Sequence, residues 1–283
     1  MMEIIKKTKT DEAWERLYTR FEQDNLQPKM GDGSAIHRKL FLKWGLVAAA
    51  MIVGVVYCAT LWMMPSRKED VRNLVTQENK EITTLVKTLE DGSIVYLAQE
   101  STLQYPEHFA TDKREVNLQG DAFFDIAKKP EQTFLIETEK VSVEVLGTAF
   151  DVRSNADTPF SLSVQRGKVK VVLKESGQSL FAEAGETVVL RKEGLHLHAT
   201  NSSGTFDRYT KNIRFKDEAL ENVLRVINRE SSDWKIETNS AALNKKRLTV
   251  EFSNNSPESV AELICWTFKL NYFRQGNKLI LSE

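Results

Sequence analysis

The order of apolar and polar residues divides the chain into parts with different periodicities. Residues 10–24 place apolar residues at helical spacing, and residues 44–64 are uncharged throughout. Residues 82–197 consist of short runs in which apolar and polar residues alternate, which is typical of strands with one buried face. Helical spacing returns twice after residue 211. The pattern predicts a multi-domain, membrane-anchored chain with an all-β domain and a C-terminal α+β module.

The uncharged run WGLVAAAMIVGVVYCATLWMM, residues 44–64, predicts a single transmembrane helix. At about 1.5 Å per residue it spans roughly 30 Å, the thickness of the hydrocarbon core of a bilayer. Trp44 and Trp62 lie near its ends, where aromatic rings favour the membrane interface. It is too long and begins too late for a typical signal peptide. We expect the N-terminus to lie inside and the larger C-terminal part outside.

The segment TDEAWERLYTRFEQD, residues 10–24, predicts an amphipathic helix. Trp14, Leu17, Tyr18 and Phe21 follow the spacing i, i+3, i+4, i+7 and share one stripe. The chain before the span is too short to form a core of its own. Two interpretations stay open: the stripe packs on its neighbours or the membrane, or it binds a groove on a cytoplasmic partner.

The changes in pattern also predict the domain boundaries. These are 1–40 for the cytoplasmic helix and linker, 41–64 for the transmembrane helix, 65–81 for a polar tether, 82–197 for the all-β domain, 198–210 for a linker and 211–283 for the C-terminal module. Periodicity does not distinguish a sandwich from a barrel in the β domain. The C-terminal order β-α-β-β-α-β-β is typical of helices covering one face of a small sheet.

The composition argues against two features, nucleic-acid binding and a disulfide bond. The 39 basic and 40 acidic residues give no basic excess, so we expect no direct contact with nucleic acid. Cys58 lies in the predicted span and Cys265 in the apolar run ELICWTF, so no disulfide is predicted and Cys265 is expected to be buried.

The candidate catalytic residues are three aspartates, and the alternative for them is structural. Asp121, Asp125 and Asp151 fall in the β region, where paired carboxylates can act as general acid and base. Alternation instead favours a half-solvated strand face for Asp121 and Asp125. His196 and His198 share a face, but no third metal ligand accompanies them. We therefore predict no enzyme activity on a substrate, no metal and no cofactor.

The stretch EVLGTAF, residues 144–150, interrupts the alternation. Val145 and Phe150 belong to faces of different parity, and the change falls at Gly147 and Thr148. Glycine suits a bulge or a tight bend between strands. A second interpretation is chemical, because the threonine hydroxyl can attack the preceding carbonyl and cleave the Gly147–Thr148 bond.

Five segments in order resemble the FecR family of membrane-anchored anti-sigma factors over most of residues 80–175; they are LEDGSIVYL, STLQYP, REVNLQGDAFFDIAK, TFLIET and VEVLGTAFDV. The N-terminal AWERLYTRFEQDNL is similar to the cytoplasmic helix of Bacteroidetes-type members. Residues 211–283 resemble their C-terminal domain, which is related to short N-terminal modules of secretins and TonB-dependent proteins. The chain departs from relatives at Leu97-Ala98, often Leu-Asn, and at Thr133-Phe134, often Pro-Phe.

The resemblance implies a relay across the inner membrane. Trp14, Leu17, Tyr18 and Phe21 would bind an extracytoplasmic-function sigma factor, since aromatic anchors dominate such interfaces. The periplasmic part would read the signalling domain of a TonB-dependent outer-membrane transducer. Envelope proteases would transmit the signal by regulated proteolysis. Certain FecR-like proteins are thought to cleave themselves at the dipeptide found here at Gly147–Thr148.

The alternative function is a membrane-anchored envelope protein that binds or processes glycans. A glycan-processing enzyme would need the aspartates to line a cleft. A glycan-binding protein would need exposed aromatic side chains on the β domain. All five tryptophans lie outside residues 82–197, which counts against glycan binding.

Overall fold

The computed structural model describes residues 74–155, 158–200, 206–231, 233–253 and 255–283. The predicted cytoplasmic helix, the predicted transmembrane helix and the first part of the predicted tether lie outside these residues. Within the described ranges, no helix is long and apolar enough to cross a membrane.

Thirteen strands precede the C-terminal module within the described residues. They are β1 Leu74–Asn79, β2 Thr84–Thr88, β3 Ile94–Leu97, β4 Ser101–Pro106, β5 Lys113–Asp125, β6 Thr133–Glu137, β7 Val141–Val145, β8 Ala149–Ser154, β9 Ser161–Arg166, β10 Lys168–Leu173, β11 Ser179–Glu183, β12 Glu186–Arg191 and β13 Gly194–Ala199. This β-rich region confirms the short strands that alternation predicts.

Strand β1 differs from the prediction, which assigned residues 65–81 to a polar tether. Residues 74–79 pair antiparallel with β4, from Leu74 opposite Pro106 to Asn79 opposite Ser101. Most side chains of β1 stay partly or fully exposed, so the segment carries almost no apolar pattern. Its backbone hydrogen bonds to β4 hold it in place instead.

Two sheets share strand β5. The first sheet runs β1-β4-β5-β6-β7-β10-β11 and the second contains β13-β12-β9-β8-β5-β3-β2. The 13 residues of β5 reach across both, because its first half pairs with β4 and β6 and its second half with β3 and β8. Gly120 lies at the change, where a Cβ atom would come within 2.4 Å of the Ser101 hydroxyl oxygen. Only glycine lets the backbones approach this closely.

The first hydrophobic core fills the space between these sheets. Val143 of the first sheet and Val152 of the second are both fully buried in it. The rings of Phe124 and Phe150 stack with centroids 5.6 Å apart. The β domain is therefore built as two facing layers.

The C-terminal module has the predicted order with one added short helix. Its elements are β14 Asn212–Ala219, α1 Leu220–Glu230, β15 Lys235–Thr238, α2 Ala241–Asn244, β16 Arg247–Ser253, α3 Pro257–Phe268, β17 Asn271–Gln275 and β18 Lys278–Ser282. Ser256 caps α3 by accepting a hydrogen bond from the Ser259 amide, and Pro257 occupies the first helical position. This confirms the predicted start of the second helix.

The expectation of one small sheet in this module is wrong. Strand β14 pairs parallel with β2 and antiparallel with β16, so both extend the second sheet of the β domain. Strands β15, β18 and β17 form a separate three-stranded sheet. Pairing with β2 buries Ile213 and Phe215, which a separate sheet would leave uncovered on one side.

A second hydrophobic core joins the two parts of the chain. Tyr96 and Phe123 of the β domain pack in the same cluster as Phe215, Leu224 and Leu279 of the C-terminal module. Cys265 is also buried in it, as predicted, and burial raises the pKa of its thiol. The two parts therefore cannot separate without exposing apolar surface.

We predict that Phe215→Ala lowers the free energy of unfolding of the whole described region. Phe215 is fully buried, and truncation of such a ring costs about 3–5 kcal/mol. Urea denaturation followed by circular dichroism should show one transition at a lower midpoint. Phe273→Ala is the control, since that ring is 52% exposed. Two separate transitions, with only one shifted, would contradict the shared core.

Candidate functional site

Gly147 and Thr148 lie where the chain passes from the first sheet to the second. Strand β7 pairs with β6 and β10 in the first sheet, and β8 pairs with β5 and β9 in the second. Both strands face the first core, but they do so from opposite layers. The change of parity in EVLGTAF is therefore a bend between strands of different sheets, as one of the two sequence interpretations expects.

The loop between β5 and β6, residues 126–132, is hydrogen-bonded to this corner. The Ile126 amide donates a hydrogen bond to the Thr148 carbonyl, and the Lys129 amide donates one to the Leu146 carbonyl, both at 2.9 Å. Between these bonds, a Cβ atom at Gly147 would lie 2.5 Å from the Cα of Lys128. Glycine is therefore required at 147 by the close approach of two backbones.

A buried arginine holds the loop between β5 and β6 in position. Arg114 is fully buried, and its guanidinium donates to the Ala127 carbonyl at 3.0 Å and to the Gln132 carbonyl at 2.8 Å. Its charge is balanced by Asp91 at 2.7 Å. Such charge-assisted bonds fix both ends of the loop in one geometry. The position of the loop over Gly147 is thus set from inside the β domain.

The Thr148 hydroxyl is buried and makes no hydrogen bond to any residue that the structure describes. Its methyl group faces Gly167, where a Cβ atom would come within 2.6 Å of Thr148 Cγ2. Most buried hydroxyls are paired, so an unpaired one at a bend is a feature that needs an explanation. The nucleophile interpretation of Thr148 stays a prediction.

The chemical step would need no external reactant except water. Thr148 Oγ1 would attack the carbonyl carbon of Gly147, the C–N bond would break, and the hydroxyl proton would pass to the released amine of Thr148. Water would then hydrolyse the resulting ester, leaving a carboxylate on Gly147 and the free hydroxyl on Thr148.

The three candidate catalytic aspartates lie in polar networks. Asp125 is only 6% exposed and pairs with Arg166 at 2.8 Å and Arg229 at 2.6 Å. The expected half-solvated face is therefore wrong for Asp125, because the C-terminal module covers it. Asp121 accepts hydrogen bonds from the Ser154 amide and the Asn155 side chain at 3.1 Å. Burial raises the pKa of Asp121, against the lowering effect of the Ser154 hydrogen bond.

Asp151 is the most buried of the three and connects to the predicted linker. It accepts hydrogen bonds from the Tyr209 hydroxyl at 2.5 Å, from Arg208 at 3.0 Å and from Arg153 at 3.2 Å. Tyr209 is 1% exposed on the 3-10 helix Asp207–Tyr209, and its ring stacks on Phe123. Burial and the Asp151 charge raise the pKa of the Tyr209 phenol, so it remains a donor at neutral pH.

Sequence reasoning missed the partners of these aspartates. Arg208 and Tyr209 fall in a stretch that composition assigns to a linker, and Arg229 falls on the polar side of a predicted helix. The available signal was two aromatic residues, Phe206 and Tyr209, in a mostly polar stretch. Aromatic rings with a polar group are often buried beside a hydrogen-bond partner.

The remaining predicted sites are a histidine pair and the sigma-binding stripe. His196 and His198 stack on β13 with ring centroids 6.5 Å apart. Among the described residues, no group of three or more potential metal ligands is present. The predicted sigma-binding residues lie outside the described residues; they are Trp14, Leu17, Tyr18 and Phe21.

Residues 73–170 match the family described as FecR protein. This part of the chain is a FecR domain. The match covers strands β1 to β9 and the first half of β10, and so includes the corner at Gly147–Thr148 and the loop that is hydrogen-bonded to it. No curated protein is significantly similar to the chain.

Two crystal structures of a proposed anti-sigma factor from Parabacteroides distasonis ATCC 8503 are similar to the chain. Each is 21% identical and covers 74% of this chain and 99% of its own, with TM-scores of 0.45 and 0.46.

We predict that the FecR domain cleaves itself at Gly147–Thr148 and that the Thr148 hydroxyl is required. Thr148→Ser keeps a hydroxyl, whereas Thr148→Val has nearly the same shape without one. Intact-mass analysis should show fragments 1–147 and 148–283 for the wild type and Thr148→Ser, and one uncut species for Thr148→Val. An uncut wild type would leave the bend as the whole role of this dipeptide.

The same valine variant has a second expected effect. Removal of a buried, unpaired hydroxyl should leave folding intact and raise the free energy of unfolding, by up to about 1–3 kcal/mol. Thermal denaturation of Thr148→Val measures this directly. A strongly destabilised Thr148→Val would show instead that the hydroxyl has a structural partner.

We also predict that Tyr209→Phe destabilises the FecR domain without disturbing the ring stack on Phe123. The change removes one donor from a buried carboxylate, which costs about 1–3 kcal/mol. Urea denaturation should show a lower midpoint with an unchanged slope. Tyr272→Phe serves as the control, because that hydroxyl contacts Glu262 on the surface at 3.4 Å. Equal effects of the two variants would contradict the assigned role of Asp151.

Proposed function

We propose that this chain is a membrane-anchored anti-sigma factor. The observation that carries the proposal is the FecR domain at residues 73–170. An uncharged run long enough to span a membrane precedes it at residues 44–64, and an amphipathic segment precedes that run at residues 10–24. In this proposal, a short binding helix lies on one side of the inner membrane and the FecR domain lies on the other.

In this proposal, the cytoplasmic helix binds an extracytoplasmic-function sigma factor. Its stripe of Trp14, Leu17, Tyr18 and Phe21 supplies large apolar anchors, and the segment is too short to cover them with a core of its own. While bound, the sigma factor is held at the membrane. The protein acts through binding, and the cleavage of its own chain at Gly147–Thr148 is the one chemical step proposed for it.

The periplasmic part would receive the signal from a TonB-dependent outer-membrane transducer. The fold supports a receiving role for the C-terminal module because β14 continues the second sheet of the FecR domain. A contact on the module therefore acts on the same sheet that holds the Gly147–Thr148 corner. Regulated proteolysis by envelope proteases would then release the N-terminal fragment with its sigma factor.

We predict that Trp14→Ala weakens retention of the extracytoplasmic-function sigma factor that the protein is proposed to bind. Loss of a central aromatic anchor costs about 2 kcal/mol or more, which corresponds to roughly thirtyfold in affinity. The measurement is co-purification of the sigma factor with the full-length protein in detergent, followed by titration with residues 1–43.

Two controls accompany this test. Trp266→Ala removes a tryptophan that is 78% exposed on α3 of the C-terminal module, and sigma binding should not change. Arg16→Ala alters the opposite side of the predicted cytoplasmic helix and should have little effect. If residues 1–43 fail to bind where the full-length protein does, the binding-helix hypothesis is wrong.

A further inference from the structure

Asp125 connects the FecR domain with the C-terminal module at a single buried carboxylate. One oxygen, Oδ1, accepts a hydrogen bond from Arg166 Nη2 at 2.8 Å, and Oδ2 pairs with Arg229 Nη2 at 2.6 Å. Arg166 ends strand β9 of the FecR sheet, while Arg229 lies in the last turn of α1. The same aspartate is therefore bound from both parts of the chain.

The backbone places this carboxylate next to the Gly147–Thr148 bond. Asp125 is opposite Ala149 in the β5–β8 ladder, and Ala149 is opposite Arg166 in the β8–β9 ladder. Ala149 directly follows Thr148 in the chain. Ile126 directly follows Asp125 and donates the 2.9 Å hydrogen bond to the Thr148 carbonyl. The ion pairs of Asp125 are therefore one residue away from the corner along both β5 and β8.

Packing reinforces the connection. Ala149 is fully buried in the second hydrophobic core, which the FecR domain shares with α1 and α3 of the module. Arg229 itself is 40% exposed, so its pair with Asp125 covers the carboxylate from the solvent side. If α1 moves away, water reaches Asp125. Asp125 then loses its ion pair with Arg229, and Ala149 loses the apolar side chains of α1 that pack in the same core.

We infer that Arg229 is a positioning residue for the Gly147–Thr148 corner and acts through Asp125. Docking of the C-terminal module then determines how firmly the Ile126 and Lys129 amides hold the bend. A partner that lifts α1 loosens the corner, and a docked α1 keeps it closed. The physical coupling stands on the contacts described above, whereas its use as a step in signal relay rests on the proposed function.

Hydrogen exchange of the full-length protein in detergent tests the coupling. In Arg229→Gln, the Ile126 and Lys129 amides should exchange at least tenfold faster than in the wild type, because their acceptors belong to the corner. The amides of β7, which lie in the first sheet, should keep their wild-type rates. All variants, and the reference protein with Arg229 intact, carry Thr148→Val, so that chain cleavage does not enter the measurement.

Two further variants separate positioning from general destabilisation. Arg229→Lys keeps the positive charge and should restore most of the protection at Ile126 and Lys129. Arg274→Gln removes an arginine that is paired with Glu258 at 3.8 Å within the same module, and it should leave the corner unchanged. An Arg229→Lys variant that exchanges as fast as Arg229→Gln would overturn the charge-pair assignment.

Unchanged exchange at Ile126 and Lys129 in Arg229→Gln, or equal acceleration in β7, would also overturn the inference. Sigma-factor retention by the same preparations is a separate readout. A protein that binds no sigma factor yet shows the expected exchange pattern would reject the proposed function and keep the coupling. The reverse result would keep the function and reject the coupling.

Discussion

The shared strand β5 is the constraint on which the rest of this structure depends. One continuous strand of 13 residues belongs to both sheets, so the two layers cannot slide or separate independently. Gly120 permits the transfer because a side chain there would collide with Ser101. Arg114, in the first half of β5, anchors the loop over Gly147, and Asp125, at its end, binds Arg229 of the C-terminal module. The two side chains that hold the loop and the helix near the candidate site therefore both belong to β5.

Buried charge in this protein serves geometry more than stability. A buried ion pair seldom adds much net stability, because desolvation offsets the attraction between the charges. Arg114 with Asp91, and Asp125 with two arginines, instead define which loop and which helix lie against the FecR domain. An apolar contact at these points would tolerate small shifts, whereas a carboxylate between two guanidinium groups accepts one arrangement. Asp151 likewise accepts a hydrogen bond from Tyr209, and this contact fixes the position of the segment that joins the FecR domain to the C-terminal module.

The fold also limits how a signal can pass through the molecule. The C-terminal module is packed against the FecR domain, since β14 pairs with β2 and the second core contains residues of both the domain and the module. A partner bound to the module acts on a sheet whose central strands include β5 and β8. The Gly147–Thr148 bend lies between β7 and β8, where the chain passes from the first sheet to the second. A rigid scaffold with one locally held bend suits a protein that we propose to be controlled by cleavage of its own chain.

The amino-acid sequence by itself determined the local elements. Alternation predicted the hairpin of β2 and β3 and the strands from β5 to β12, and helical spacing predicted α1 and α3, because each pattern depends on neighbours within a few residues. The ordered segments between LEDGSIVYL and VEVLGTAFDV located the FecR domain. The predicted binding helix at 10–24 and the predicted span at 44–64 rest on sequence alone.

Only the tertiary structure decided which elements meet. Phe215 of β14 lies beside Val86 of β2, far away in the chain, and no periodicity specifies a neighbouring strand. The same holds for Arg229 on Asp125 and for Tyr209 on Asp151, whose partners come from distant segments. Strand β1 has too few buried side chains to show an apolar pattern, and its pairing with β4 depends on backbone hydrogen bonds that every sequence can make. Local periodicity reports the face that a residue presents, whereas the partner on that face is chosen by the packing of the whole domain.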